Sequence, residues 1–225
     1  MKIIRPSIEV LDILDQTVIL KRLELVGRTC YKSEDKITDT SCIDFVKKII
    51  KSGHHSILEH YDISIRVICD RGVTHEIVRH RIGEYAQEST RYCNYGSGKF
   101  GNEITVIEPC FWQPVYNYAF EIKEVSMYCK VTEKMKLWRQ AMCDAEAYYM
   151  KLIEHGATPQ EARSVLPNSL KTEMIIKFNL REWRHFLTLR ISKAAHPQMR
   201  EVANMILKEF HEKLPVIFED ILLTS

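Results

Sequence analysis

Apolar and polar residues alternate from Ile63 to Cys69, with Ile63, Ile65, Val67 and Cys69 on one side and Ser64, Arg66 and Ile68 between them. A period of two marks a strand with one buried face. A second strand is expected from Thr172 to Leu180, around Ile175, Ile176 and Phe178, and a short one from Ile104 to Ile107. Residues 2–14 read as a strand and turn. Helical spacing governs other segments. Ser41 is placed to cap a helix through about Lys51, with Phe45, Ile49 and Ile50 on one side and Gly53 ending it. Asp70-Arg71-Gly72 marks a turn, and a short helix from Val73 to about Ile82 sets Arg79 to Arg81 near its C-terminal end. Tyr92 to Gly101 is loop-like. A long helical pattern runs from about Pro114 to His155, with a candidate break near Cys129 to Thr132. Thr158 and Pro159 open another helix as N-cap and first helical residue, and it stops before Pro167. Arg181 to Lys193 and Pro197 to Phe218 complete the helices.

This order mixes strands and helices without regular alternation. It predicts an α+β fold, a mixed or antiparallel sheet flanked by helices. No Pro/Gly/Ser-rich linker divides the chain, so residues 1–225 are expected to form a single domain.

Composition narrows the function classes. The chain has 225 residues, 45% of them apolar, enough to bury a core. A formal net charge of +2 creates no global field for nucleic acid, so any anion site is local. The 7 cysteines form no C-x-x-C pair, which points to reduced thiols. Met1-Lys2-Ile3-Ile4-Arg5-Pro6 lacks the apolar core of a signal peptide, and no apolar run approaches the roughly 20 residues that span a bilayer. A soluble, cytoplasmic protein without membrane or nucleic-acid partners is expected.

Four motifs with catalytic associations read better as structure. Gly96-Ser97-Gly98-Lys99-Phe100-Gly101 fits G-x-G-x-x-G, but a strand follows it where a dinucleotide fingerprint needs a helix. His75 and His80 are five residues apart, which turns the second about 140° away from a shared zinc ligand face. His54, His55 and His60 are a candidate metal cluster, although histidine is also favoured at the end of a helix. Cys110 follows Pro109 but precedes Phe111, with no neighbouring histidine to raise its thiolate fraction. No metal is expected.

The densest chemistry lies between residues 79 and 91. Arg79-His80-Arg81 is followed after seven residues by Ser89-Thr90-Arg91. Arginine forks match phosphate and carboxylate oxygens, so an anionic ligand is indicated. Arg163 precedes the apolar turn Ser164-Val165-Leu166-Pro167, and Arg190 ends Phe186-Leu187-Thr188-Leu189. Taken singly, each arginine reads as a surface salt bridge. A half-buried Arg190 stem, however, calls for an anionic partner.

The spacing R-H-R, seven residues, S-x-R resembles the signature of the flavin-dependent thymidylate synthases. Gly53-His54-His55-Ser56-Ile57-Leu58-Glu59-His60 resembles that family's G-H-x-[ST]-x-x-E-H segment. Arg163 to Pro167 resembles its A-R-x-V-L-P turn, and Asn179-Leu180-Arg181 with Phe186 to Arg190 its N-x-R and F-L-x-L-R run. The matches keep their order. The resemblance implies the family's α+β fold and a homotetramer with active sites between subunits. It also implies FAD as cofactor, NADPH as reductant, and dUMP and methylene-tetrahydrofolate as substrates.

Flavin contacts carried over by motif fall on Ser56, Arg79, His80, Arg81, Gln87, Asn179, Arg181 and His185, with His54 a further candidate. The dUMP contacts fall on Glu76, Arg79, Gln87, Glu88, Ser89, Thr90, Arg91, Arg163 and Arg190, the last polarising the uracil. The chain departs from the commoner signature at Glu84, Ala86, Gln87 and His185.

The implied chemistry is physically coherent. Carbon 5 of uracil becomes nucleophilic when negative charge builds across the ring, and a fixed guanidinium stabilises that charge. Two alternatives stay open: a related pyrimidine methyltransferase acting on UMP, and a non-catalytic nucleotide- or RNA-binding module.

Overall fold

Strand β3, Asp62–Asp70, buries Ile63, Ile65, Val67 and Cys69 completely, as its alternation requires. The computed structural model describes residues 1–111 and 132–222. Their elements are β1 (Lys2–Ile4), β2 (Ser7–Val10), α1 (Gln16–Tyr31), α2 (Ser41–Lys51), β3, α3 (Arg71–Ile77), β4 (Glu84–Gln87), β5 (Thr105–Ile107), α4 (Glu133–Glu154), α5 (Pro159–Ala162), β6 (Lys171–Asn179), α6 (Leu180–Arg190), α7 (Pro197–Lys213) and α8 (Pro215–Phe218). The fold is α+β, as expected. The part of the long helical pattern from Pro114 to Val131 lies outside the described residues.

The chain divides into two compact units assembled from interleaved segments. The first holds Met1–Pro6, Ile68–His75 and Gln87–Glu173. Here β1 and β5 pair in parallel, Ile3 opposite Val106. Tyr95, Ile104, Val106, Met142, Tyr149, Ala162 and Leu170 form its core. Thr158 and Glu161 close a reciprocal capping box at the start of α5, with Pro159 in the first turn. The glycine-rich stretch is a turn closed by Gly101 at φ 71°, and β5 follows.

The second unit holds Ser7–Val67, Glu76–Ala86 and Met174–Ser225. It contains most of the four-stranded sheet, ordered β2-β3-β6-β4. Its core joins the inward face of β3 to Met174, Ile176 and Phe178 of β6 and to Trp183, Phe186 and Leu187 of α6. The Trp183 indole donates to the Ile63 carbonyl at 3.0 Å, so the largest buried ring is also satisfied as a donor. Among the described residues no helix is long and apolar enough to cross a membrane.

Several expected boundaries shift. The chain contains a helix the pattern did not predict: α1 buries Ile19, Leu20, Leu23 and Gly27, and Asp15 caps it by accepting from the Val18 N–H at 3.1 Å. Strand β4 was likewise not predicted. Ser41 is not the cap of α2. It lies inside the first turn, and its hydroxyl donates to Glu24 at 2.8 Å. Gly53, at φ 74°, does end that helix. Arg71 and Gly72 are helical rather than a turn, because Asp70 accepts from the Val73 N–H at 2.9 Å and starts α3 early. Helix α3 also stops at Ile77, not Ile82, closing in tight turns where the Arg79 and His80 N–H groups donate to the Glu76 and Ile77 carbonyls at 3.2 and 3.1 Å. Arg79 to Arg81 therefore follow the helix. Helix α6 ends at Arg190, and the stretch expected to run from Pro197 to Phe218 breaks at Leu214, since Pro215 has no N–H to continue it.

Gly83 sits where backbone meets the Phe178 ring. A Cβ there would lie 2.2 Å from two ring atoms. Phe178 is 1% exposed and touches Trp183 and Phe186, so it has no room to retreat. Gly83→Ala is expected to cost about 1–3 kcal/mol through overpacking, read as a lower urea midpoint with an unchanged m-value.

Candidate active site

In the second unit, four side chains form a continuous relay. Arg190 donates from Nε to His80 Nε2 at 3.0 Å, from Nη1 to the Glu76 carboxylate at 3.1 Å, and from Nη2 to the Glu76 carbonyl at 3.0 Å. His80 Nδ1 lies 3.1 Å from Glu182 Oε1. Arginine has only donors, so His80 Nε2 acts as acceptor, and the ring proton sits on Nδ1 and is donated to Glu182. The sequence indicated that Arg190 needs an anionic partner, and Glu76 is that partner within the chain. One N–H on each terminal nitrogen of Arg190 remains unused by these bonds.

Burial and charge agree with this assignment. The His80 pKa is lowered from 6.5 to about 4, first by desolvation and then by Arg190 and His185. Burial pushes the Glu182 carboxyl up from its ordinary range. Tyr85 is pushed up to about 12 by burial and by Glu182, and its hydroxyl donates to the His80 carbonyl.

Beside the relay lies a cavity of about 650 Å³ lined by His55, Glu59, Ile82, Asn179, Arg181 and His185, among others. A smaller cavity of about 360 Å³ shares His55 and Arg181 and adds His54, Ser56 and Tyr31. Each element aims its residue for a local reason. Asn179 caps α6 by accepting from the Glu182 N–H at 2.8 Å. Arg181, two residues on, pairs with Glu59 at 2.5 Å. His54 precedes the 3-10 turn His55–His60, which carries Ser56. The His185 ring lies 5.7 Å from that of His80. Arg79 and Arg81 are exposed, and neither guanidinium has an ion-pair partner among the described residues.

The first unit gathers a different set. Thr90 is buried and accepts from Arg163 Nη1 at 3.4 Å, and Arg91 Nε donates to Gln160 at 3.4 Å. The Ser89 hydroxyl accepts from the Arg91 N–H at 3.3 Å. The turn after β4 and the helix Pro159–Ala162 thus bring Arg91 and Arg163 to one exposed surface holding hydroxyls and guanidinium groups. Gln87 donates to Thr74 and Thr172 at 3.1 and 3.2 Å. Both Glu88 carboxylate oxygens are engaged, one by the Tyr95 hydroxyl at 2.8 Å and one by Lys171 at 2.7 Å.

The family model described as "Thymidylate synthase complementing protein" matches residues 12–216. The chain belongs to this family. It is similar to the flavin-dependent thymidylate synthase of Pyrococcus furiosus, 30% identical over 188 residues, or 83% of this chain and 70% of that one. The corresponding Pyrococcus abyssi enzyme is 32% identical over 81% of this chain and 68% of its own. In fold it resembles the crystal structure of a UMP/dUMP methylase from Streptomyces cacaoi bound with 5-Br dUMP. That likeness has a TM-score of 0.74 and 22% identity, covering 97% and 96% of the two chains. The chain is thus a member of an enzyme family whose curated relatives are named for flavin dependence.

The second unit fits such a group. Its larger cavity lies within the roughly 300–1,000 Å³ of ligand pockets, and its lining mixes an aliphatic side chain with amide, imidazole and guanidinium donors, the carboxylates of Glu59 and Glu182 being engaged by Arg181 and His80. His80, Glu182 and His185 also bring one ligand atom each within 4.8 Å of one another. Both ring nitrogens of His80 are already hydrogen-bonded, to Glu182 and Arg190, which leaves that residue no lone pair for a metal.

Motif reasoning missed Glu182, Glu59 and Lys171 as partners of the expected site residues. Asn179-x-x-Glu182 carries capping-box spacing, but only its Asn half forms. The Glu182 carboxylate turns instead to His80. A depressed His80 pKa means that the unfolded chain takes up its proton near pH 6.5 and the folded chain near 4. Between those values the unfolded state binds more protons, so stability is lost as pH falls through that window. His80→Gln is expected to flatten this part of the stability–pH curve. NMR titration should find His80 neutral down to about pH 4.

Proposed function

We propose that the chain converts dUMP to dTMP, with FAD as cofactor, NADPH as reductant and methylene-tetrahydrofolate as one-carbon donor. We further propose that it works as one domain within a cytoplasmic homotetramer whose active sites lie between subunits. The observation that carries the reading is Arg190, held at three points with N–H groups to spare. A guanidinium so fixed is preorganised to stabilise negative charge on a pyrimidine carbonyl and nitrogen 3, and it needs no reorientation during reaction. Arginine keeps its proton, so the contribution is electrostatic.

Ser89, Thr90, Arg91 and Arg163 supply charge-assisted donors suited to a 5′-phosphate. Asn179, Arg181, His185, His54 and Ser56 are the residues we assign to the flavin, together with His80, the free Arg79 and Arg81 forks, and Gln87. When bound, the flavin supplies the hydride chemistry, and the protein orients it. Glu76 acts through Arg190 by fixing its fork. No protein nucleophile is required.

Purified protein should be yellow and should release tritium from carbon-5-labelled dUMP when NADPH and methylene-tetrahydrofolate are added. A colourless preparation that cannot be loaded with FAD counts against the assignment. Arg190→Ala should keep its flavin yet lose turnover on the order of 10²–10³-fold, and Arg190→Lys should recover only part of it. Arg91→Ala should chiefly raise the KM for dUMP, so an unchanged KM removes its phosphate role.

A second reading, methylation of UMP, is favoured by one observation: the structural neighbour is described as acting on both UMP and dUMP. Parallel turnover assays separate the two, and equal or faster UMP turnover replaces the dUMP assignment.

A further inference from the structure

We propose that Glu182 is a positioning residue for the proposed reaction. Its carboxylate holds His80 as the Nδ1–H tautomer, so that Nε2 can aim the Arg190 guanidinium. The inference rests on the reading of Arg190 given above and deepens it.

The geometry leaves little freedom. Glu182 and Arg190 stand two turns apart on α6, and the long arginine side chain reaches back toward the helix N-terminus, as helical side chains do. His80 comes from the turn after α3 and bridges them. Its side chain is 4% exposed and that of Glu182 8%. Phe186 packs edge-on against the imidazole with ring centroids 4.8 Å apart, and Phe178 approaches at 6.3 Å. The ring cannot retreat from either hydrogen bond.

The tautomer therefore decides the arginine's orientation. With the proton on Nδ1, Nε2 presents a lone pair to Arg190 Nε–H at 3.0 Å. With the proton on Nε2, two donors face each other across that distance. Arginine cannot resolve the conflict by losing a proton, so its fork must turn away. The carboxylate accepts at Nδ1 and makes the first state the stable one. The charged groups bearing on the ring are Glu182, Arg190 and, through Arg190, Glu76. His185 is the titratable neighbour from the same helix, and Tyr85 holds the His80 backbone.

A purely structural ion pair would make a different prediction. Glu182→Gln keeps a carbonyl acceptor for Nδ1–H, and Glu182→Ala removes it. We expect Glu182→Ala to fold and still to bind flavin. Its kcat for tritium release should fall on the order of 10–100-fold, with KM for dUMP little changed, as for a misaimed catalytic group. Glu182→Gln should stay within about 10-fold of wild-type kcat. The second readout is independent of activity. In ¹⁵N-histidine-labelled protein, the His80 signals, assigned by their loss in His80→Gln, should show a protonated Nδ1 and a bare Nε2. They should shift toward mixed tautomers in Glu182→Ala.

Wild-type His80 with its proton on Nε2 overturns the inference. So does a folded Glu182→Ala with wild-type tautomer and kcat. Should the alanine variant not fold, Glu182→Gln decides: loss of more than about 10-fold in kcat with the tautomer retained also overturns it. A wild-type protein that binds no flavin and releases no tritium would remove the proposed reaction, yet leave the tautomer result standing.

Discussion

The hydrogen-bonded chain from Glu76 through Arg190 and His80 to Glu182 organises the second unit's chemistry. Each member would be costly alone in its surroundings: a guanidinium, a largely buried carboxylate and an imidazole held among aromatic rings. Together they satisfy one another, with the cation between two acceptors and the neutral ring donating to the second carboxylate. Such networks gain from low local dielectric only when every member is paired. The same pairing stops Arg190 from sampling rotamers. A guanidinium that is already oriented avoids ordering itself when a ligand arrives.

The junction between β6 and α6 delivers several of that unit's candidate residues. Asn179 ends the strand and caps the helix, Arg181 and Glu182 occupy its first turn, His185 follows, and Arg190 closes it. Trp183, Phe186 and Leu187 bury the adjoining face and so set the rotation of the whole helix. Core packing and site geometry are thus one decision. A shift of α6 that relieved the aromatic cluster would also move the arginine off the imidazole.

The first unit solves a simpler problem. Its surface at Thr90, Arg91 and Arg163 is held by single long hydrogen bonds at 3.4 Å, in which the exposed Arg163 and Arg91 meet the buried Thr90 and the exposed Gln160. Loose, solvated forks suit an anion arriving from water, where charge matters more than exact orientation. Glu88, by contrast, is locked between Tyr95 and Lys171 and anchors the turn that presents Ser89 to Arg91.

Local rules were enough to read β3, β6, the start of α5, the end of α2 at Gly53 and most of α6 from the chain, because each carries a clean period or a distinct cap. They also picked out the arginines, since residue type alone limits a guanidinium to donating. Helix α1 escaped because exposed Val18, Leu25 and Tyr31 blur its apolar stripe, and β4 because its alternation buries nothing fully. The end of α3 is a pair of tight backbone turns at Glu76 and Ile77, which no capping residue announces. Which acceptors Arg190 meets, and which nitrogen of His80 carries the proton, depend on groups more than a hundred residues away in the chain. Sequence thus determined the kinds of chemistry available. Only the tertiary contacts, by bringing distant donors and acceptors within hydrogen-bonding range, decided how they are paired.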